Sequence, residues 1–388
     1  MFIELHLIQN FAPANLNRDD TNNPKDCEFG GHRRARISSQ ALKRAIRFHP
    51  AFRQTTQVEL GERTRWMTHL LAKPLLEAGK SREEAQTVAA VTVAAYYSKK
   101  EKMDAKNPKR TTVLVYISPD EVKALSQTIL ENWDTVLAAA TAEKKDKTIA
   151  NLVDPLVKAT KDRTSAPDIA LFGRMLADRP ELSLDAACQV AHAISTHRVT
   201  MEMDYFTAVD DLLARDEGVG EEGEEEVGAG MVGFTSFNSA CFYRYVRIDW
   251  EQLIKNLADD KALARRTVEG FLQAALEAIP SGKQNSFAAH NPTSFALAVV
   301  REDGMGWSLA NAFETPIRPR NDTGLITPSI EKLDTYWGRL CQFYGDGHLR
   351  AISACHLDGT ATITHLKEAL KSSRSEWVET ITGVLLEE

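Results

Sequence analysis

Asn17–Arg47 reads NRDDTNNPKDCEFGGHRRARISSQALKRAIR, and the placement of its charges decides how the chain is read. Asn17–Ile37 is rich in Asn, Asp, Gly and Arg with no apolar period. The whole of residues 11–37 is therefore expected to be a long irregular loop, a kind that is usually functional or disordered. Ser38 or Ser39 then caps a helix running to about Phe48, with Ala41, Leu42, Ala45 and Ile46 on its apolar side. Upstream, Ile3, Leu5 and Leu7 alternate with Glu4, His6 and Ile8, the pattern of a half-buried strand. The opening unit is strand, loop, helix. Between His32 and Arg47 lie six bases (Arg33, Arg34, Arg36, Lys43, Arg44, Arg47) and no acid. Lys43 and Arg47 share a helical face expected to be exposed, and like charges at that spacing cost about 0.2–0.5 kcal/mol. An external anion relieves this, and phosphate is the natural one. Ser38, Ser39 and Gln40 stand at the helix N-terminus, where free N–H groups favour the same ligand. Capping alone also explains the serines, and a tight turn explains Gly30 and Gly31.

Downstream the composition changes. Residues 59–160 carry successive helical patterns at Trp66–Leu76, Arg82–Tyr97, Pro119–Ala142 and Lys147–Thr160, with a short strand-like run at Thr112–Ile117 and a lysine-rich break at Lys99–Arg110. This reads as a mostly helical insertion. Asp168–Met175 leads into a capped helix expected at Ser183–Ile194. Val199–Val209 and Val232–Val246 are strand-like arms of a projecting hairpin. Its tip is acidic and glycine-rich, with too little apolar surface to pack, and is expected to be mobile. A helix at Lys261–Ala278, a strand at Ser294–Val300, a loop at Ala312–Gly324 and helices near Ser329–Tyr344, Leu366–Ser372 and the end complete the chain. This order predicts an α+β fold on an antiparallel sheet.

The 388 residues allow two or three domains, or one large domain with insertions. With 43% hydrophobic and 26% charged residues the composition is that of an ordinary globular chain, not a disordered one. No stretch approaches the length of a membrane span, and the opening MFIELHLIQNF lacks the basic region of a signal peptide. Five scattered cysteines without CxxC spacing fit a reducing cytoplasm and argue against a disulfide framework or a structural zinc site. The net charge of −7 conceals an asymmetry: seven acids and no base lie between Asp216 and Glu226, and the rest of the chain is neutral overall. A neutral body with one cationic patch suits an anionic partner, although a solvated helix face would look the same.

Two GxGxxG matches, at Gly218–Gly223 and Gly228–Gly233, lack the strand before and the helix after that a dinucleotide site requires. They are read as linker glycines. GxxxxGK[ST], HExxH and GxSxG are absent, so NTPase, zinc-protease and hydrolase chemistry has no carrier. Cys355-His356 has no further metal ligand nearby in sequence. Two other places suit a single-stranded nucleic acid, which needs rings for its bases and cations for its phosphates. Arg318-Pro319-Arg320 holds two cations in a stiff loop. Tyr205-Phe206-Thr207 sets two rings beside a hydroxyl at the base of the hairpin, although either ring could be core.

The stretch from Leu16 to Arg47 resembles the opening signature of the backbone subunit of type I-E Cascade, a CRISPR RNA-guided surveillance complex. IALFGRM (169–175), AHAISTHRVTMEMDYFTAVDDL (191–212), SGKQNSFAAHNP (281–292) and SLANAFETPIRPR (308–320) follow in the family's order. The helical insert and the acidic tip match least. The resemblance implies a modified RRM/ferredoxin-like palm of the RAMP superfamily, with a helical finger insertion and a β-hairpin thumb. Its divisions would be residues 1–58 (palm), 59–167 (finger), 168–197 (palm), 198–240 (thumb) and 241–388 (palm). It implies a non-catalytic cytoplasmic subunit that needs no cofactor or metal and assembles head to tail with other copies of itself along CRISPR RNA. It also implies contact with other Cascade subunits, and with target DNA through the guide. Position by position, Arg18, Lys25, Ser38, Gln40, Lys43 and Arg47 match RNA-backbone contacts, Met175 a side chain beside a displaced base, and Tyr205, Phe206 and Thr207 the thumb base. Tyr205 stands where tryptophan is usual, Arg318 and Arg320 where lysines are common, and His32 where a basic residue is common. Arginine adds planar, bidentate geometry to the charge.

Two other classes compete. Related RRM-like CRISPR proteins cut RNA, and Asp19, Asp20 and Asp26 lie in a suitable loop near His32 and His49. Metal-free cleavage would need an acid and a base at one phosphate, and no spacing pairs these histidines. A pure protein scaffold would leave the six-base patch without a purpose.

Overall fold

The computed structural model describes residues 1–98, 103–142, 147–208, 231–319 and 323–385. Arg320 and the acidic run Asp216–Glu226 lie outside them, as does most of the glycine-rich stretch. The chain opens with β1 (Phe2–Ala14), β2 (Asp26–Phe29), β3 (His32–Ile37), α1 (Ser39–Arg47) and α2 (Pro50–Thr56). A helical lobe follows: β4 (Glu62–Thr64), α3 (Met67–Glu77), α4 (Arg82–Tyr97), β5 (Met103–Asp104), β6 (Asn107–Thr111), β7 (Val115–Ile117), α5 (Pro119–Glu131), α6 (Trp133–Thr141) and α7 (Thr148–Ala159). The chain returns through α8 (Pro167–Phe172), β8 (Cys188–Val190), β9 (Ala193–Ser195), β10 (Glu202–Ala208) and β11 (Met231–Asp249). It closes with α9 (Trp250–Asn256), α10 (Lys261–Glu277), α11 (Gln284–Phe287), β12 (Phe295–Arg301), α12 (Ile326–Tyr344), β13 (Leu349–His356) and α13 (Arg374–Val384).

The main sheet runs β13-β12-β1-β11-β9-β3-β2, with β8 and β10 also paired to β11, and its named pairs are antiparallel. The α+β class expected from the sequence is the observed one. Helices cover both faces. On one, Ile3, Leu5 and Leu7 meet Leu42 and Ile46 of α1, Phe52 of α2, Phe271 of α10 and Trp377 of α13. On the other, Ile8, Tyr243 and Val299 meet Trp307 and, from α12, Ile330, Leu333 and Trp337. β1 is therefore buried on both faces, not half-buried. Its polar side chains are answered inside: Glu4 accepts from Tyr245 Oη at 2.8 Å and Trp307 N at 2.9 Å, and pairs with Arg301 at 3.2 Å. The helical lobe has its own core, built from α3 to α7 around Leu71, Val88, Val93, Leu125 and Val153.

Several expectations change. Residues 11–37 are not one irregular loop: β1 continues to Ala14, and β2 and β3 form a hairpin whose end pair is Phe29 and His32. Gly30 and Gly31 turn it at φ +59° and +71°, both in the left-handed region that favours glycine. The helix expected at Ser183–Ile194 is instead β8 and β9, recruited by the long central strand β11. Pro119–Ala142 breaks into α5 and α6 at Asn132, whose side-chain amide donates to Thr128 O at 2.9 Å. Leu366–Ser372 holds only a 3-10 turn at Lys367–Ala369, and β13 appears where no strand was expected. α1 and α4 follow their caps: the Ser38 hydroxyl accepts from Ala41 N and the Ser81 hydroxyl from Glu84 N. Among the described residues no helix is long and apolar enough to cross a membrane.

Candidate nucleic-acid interface

The loop before β2 is ordered by its own side chains. Asp19 Oδ1 accepts from Thr21 N and Asn23 N, each at 2.9 Å, and Arg18 donates to Asn22 Oδ1 at 2.7 Å. The Thr21 hydroxyl and these amides hold the Asp19 carboxyl below its ordinary pKa. Asn17 ties the loop to α1, its Oδ1 accepting from Ser38 N at 2.8 Å. Arg18 is thus exposed and Lys25 half-buried along one edge, with Leu16, Asn17, Arg18, Asp19 and Gly282 around a concavity of about 400 Å³.

The six-base patch divides into two kinds of residue. Arg34 is fully buried and donates to Phe29 O (3.3 Å), Ser195 O (3.0 Å), Phe313 O (2.7 Å) and Glu314 O (2.9 Å). Arg33 pairs with Asp26, and Arg36 donates to Asp26 O at 3.0 Å and meets His192 Nδ1 at 2.8 Å. Arg47 corrects the expectation most sharply. It is 8% exposed, and its guanidinium binds Asp168 and Gly61 O. Lys43 and Arg47 do not share an exposed face. Lys43 is half-buried with its ammonium 5.5 Å from the Phe172 ring centroid, and Arg44 is exposed over Phe48 at 4.8 Å. These two carry no ion pair among the described residues, so they are the part of the patch open to an anion.

Ser38 is buried as the cap, and Gln40 is exposed one turn below Lys43. Met175 is 89% exposed just past α8, where Gly173 turns the chain at φ +75°. Tyr205, Phe206 and Thr207 are all exposed on β10. Tyr205 stands opposite Phe234 with ring centroids 5.3 Å apart, and Phe206 stands opposite Gly233, so the two rings lie on opposite faces of the hairpin. Neither ring is core. The hairpin extends past the sheet, since β1 pairs with β11 only from Asn238 onward. Arg318 is exposed beside the hairpin base: Ile317 N donates to Thr196 O at 2.9 Å and Ile317 bridges His197. Sequence reasoning missed Lys332 and Arg339, which join His32 and Arg318 around a groove of about 720 Å³. Their spacing on α12 was legible, but not the loop packed against it. It also missed Phe234 as the ring partner of Tyr205, a pairing set by register. Among the described residues, no group of three or more His, Cys, Asp or Glu side chains is placed to hold a metal.

Exposed cations, amides and rings thus run from the loop and α1 to the hairpin base, an arrangement that can track a phosphate backbone and stack bases. Comparison with known proteins places the whole chain among CRISPR-associated relatives. A chain of a pre-nicking CRISPR RNA-guided surveillance complex superposes with a TM-score of 0.84 at 29% identity, covering 99% of this chain and 100% of that one. A chain of a second CRISPR RNA-guided surveillance complex superposes at 0.76 and 24% identity, with coverage of 99% and 100%. No curated protein matches. The model of the CT1975-like protein family matches residues 3–380, and the chain belongs to that family.

Proposed function

We propose that the protein is a CRISPR RNA-binding subunit of a type I-E Cascade antiviral surveillance complex. Copies assemble head to tail along the guide RNA as its backbone and present the guide to target DNA. The full-length likeness to a chain of a CRISPR RNA-guided surveillance complex supports this reading. In these terms the sheet body is the palm, the lobe of α3 to α7 the finger, and the β10–β11 hairpin the thumb. Arg18, Lys25, Gln40, Lys43 and Arg318 take phosphates. Ser38 shapes the helix end, and Met175, Tyr205, Phe206 and Thr207 border the displaced nucleotide. Arg320 belongs to the same set by sequence. A non-catalytic role is favoured by where three of the five candidate acids and bases went: Asp19 holds a turn, Asp26 pairs with Arg33, and His49 caps α2. Incubating purified protein with labelled CRISPR RNA separates the possibilities. Regularly spaced nuclease protection supports the proposal, discrete cleavage products support an endoribonuclease, and absence of binding sinks both.

A further inference from the structure

The helical lobe is inserted between Gly61 and Asp168, and these two ends of its neck are bonded to each other. Asp168 is fully buried. Its Oδ1 accepts from Gly61 N at 2.9 Å and Ile169 N at 3.1 Å; its Oδ2 accepts from Tyr116 Oη at 2.6 Å and pairs with Arg47. Arg47 also donates to Gly61 O, and its Cζ lies 4.7 Å from the ring centroids of both Phe48 and Tyr116. Burial and the Asp168 charge push the Tyr116 phenol far up, so it remains a donor. Gly61 fits because a Cβ there would lie 2.7 Å from Ile169 Cδ1 and 2.9 Å from Tyr116 Cε2. One carboxylate therefore joins the end of α1, both strands of the neck and the start of α8. One turn back along α1 and one turn on along α8, Lys43 meets Phe172. The two helices are matched at two i,i+4 positions.

We propose that Asp168 is a positioning residue for the nucleic-acid surface, setting the helical lobe and α8 against α1 so that Lys43 and Met175 are held in fixed relation. Arg47 acts at this junction and touches no phosphate. The inference rests on the RNA-binding reading above, and it reassigns the one cation of the patch that is both paired and buried. Breaking a buried pair leaves a charge uncompensated, so outright truncation at either position risks unfolding. Arg47→Lys is the informative variant. It keeps the charge a phosphate would want and loses the planar fork that holds Asp168 and Gly61 together.

Single-stranded RNA affinity is measured against salt concentration for the full chain, Lys43→Ala, Arg47→Lys, Asp168→Asn and Tyr116→Phe. Lys43→Ala is expected to lower the log–log salt slope by about 0.7, as for one lost phosphate contact. Arg47→Lys and Asp168→Asn are expected to weaken binding roughly 2- to 30-fold at an unchanged slope. Their double variant should be no worse than the weaker single, because both act on one junction. Tyr116→Phe should give a smaller loss of the same kind. Wild-type affinity for Arg47→Lys, or a lowered slope for it, overturns the proposal. Amide exchange of Gly61 and Ile169 without RNA gives an independent arm: faster exchange in Arg47→Lys and Asp168→Asn supports the junction, and unchanged exchange overturns it. Failure of the wild-type chain to bind RNA would refute the RNA-binding reading itself, and the exchange arm still decides whether Asp168 positions the lobe.

Discussion

Phe206 lies across Gly233 of the facing strand: a Cβ built on Gly233 would sit 2.3 Å from Cζ of the Phe206 ring. The ring is 43% exposed and so has open space to move into. A methyl at position 233 therefore displaces the ring outward and leaves the strands in place. Gly233→Ala is expected to change folding stability by no more than about 0.5 kcal/mol. It should remove part of the roughly 1–3 kcal/mol that a stacking ring contributes to binding a single strand. Denaturant midpoints and RNA affinity check this together. A large stability loss with normal affinity would mean that the pair supports the hairpin and not the ligand.

Arg34 predicts the opposite pattern. Its side chain reaches carbonyls of β2, of β9 and of the 313–314 segment that leads to Arg318. Arg34→Met strands those acceptors in the interior, and Arg34→Lys replaces a planar fork by a single ammonium that cannot serve them all. Both variants are expected to lose roughly 3 kcal/mol or more of stability, given about 1.5–3 kcal/mol for each hydrogen bond to a charged group. Urea unfolding measures this. A loss below about 0.5 kcal/mol for Arg34→Met would show that water or neighbouring amides replace the guanidinium.

These two arginines show where sequence reasoning stops. Arg34 and Arg47 stand in one unbroken cationic run with Lys43 and Arg44, and nothing local separates them. Arg47 is set apart by Asp168, 121 residues away, and Arg34 by a carbonyl 279 residues away. The same holds for the strands. α1 and α4 were legible because a cap and an apolar period lie within one segment. β8, β9 and β13 are only three to eight residues long, and β11 and β12 supply their partners. The Gly-Gly turn between Phe29 and His32 was a local hairpin signal, masked because a buried arginine broke the expected alternation. In the candidate interface, residue types and rough location were legible; which side chains face outward was set by packing.

His6 makes stability depend on pH. Burial, and then the Arg301 charge, lower its pKa to about 3. It sits beside the buried Glu4–Arg301 pair, with Nδ1 2.9 Å from Tyr243 Oη. The folded chain holds His6 neutral down to about pH 3, whereas the unfolded chain protonates it near pH 6.5. The stabilisation is therefore complete above about pH 6.5 and is lost as pH falls from there towards 3, by up to about 1.4 kcal/mol per pH unit. Burial lowers His197 in the same direction. Unfolding midpoints at pH 7.5, 5.5 and 4.5 should fall steeply in the wild-type chain and less steeply in His6→Phe. Equal slopes in the two proteins would place the acid sensitivity elsewhere.

The two rings at the hairpin base give the prediction closest to assembly. Tyr205 is 58% and Phe206 43% exposed, on opposite faces of one strand, so neither contributes much to a core. Tyr205→Ala and Phe206→Ala should both leave the monomer's unfolding midpoint nearly unchanged. Each removes a surface on which a base can stack, for roughly 1–3 kcal/mol regardless of base identity. On a short oligonucleotide that loss is felt once. Along a CRISPR RNA carrying several copies it recurs at every subunit, and linked sites compound it. Assembly on a long guide is therefore expected to fail at protein concentrations where short-oligonucleotide binding is only weakened. The contrast between the faces is itself informative. Tyr205 has Phe234 beside it at 5.3 Å to take over part of the stacking, whereas Phe206 faces a glycine, so Phe206→Ala should do the greater damage. Native mass measurement of the complexes formed on guides of increasing length reads the effect directly. If both variants fill a long guide at wild-type concentrations, the rings meet no nucleotide and the hairpin holds the RNA, if at all, by charge alone.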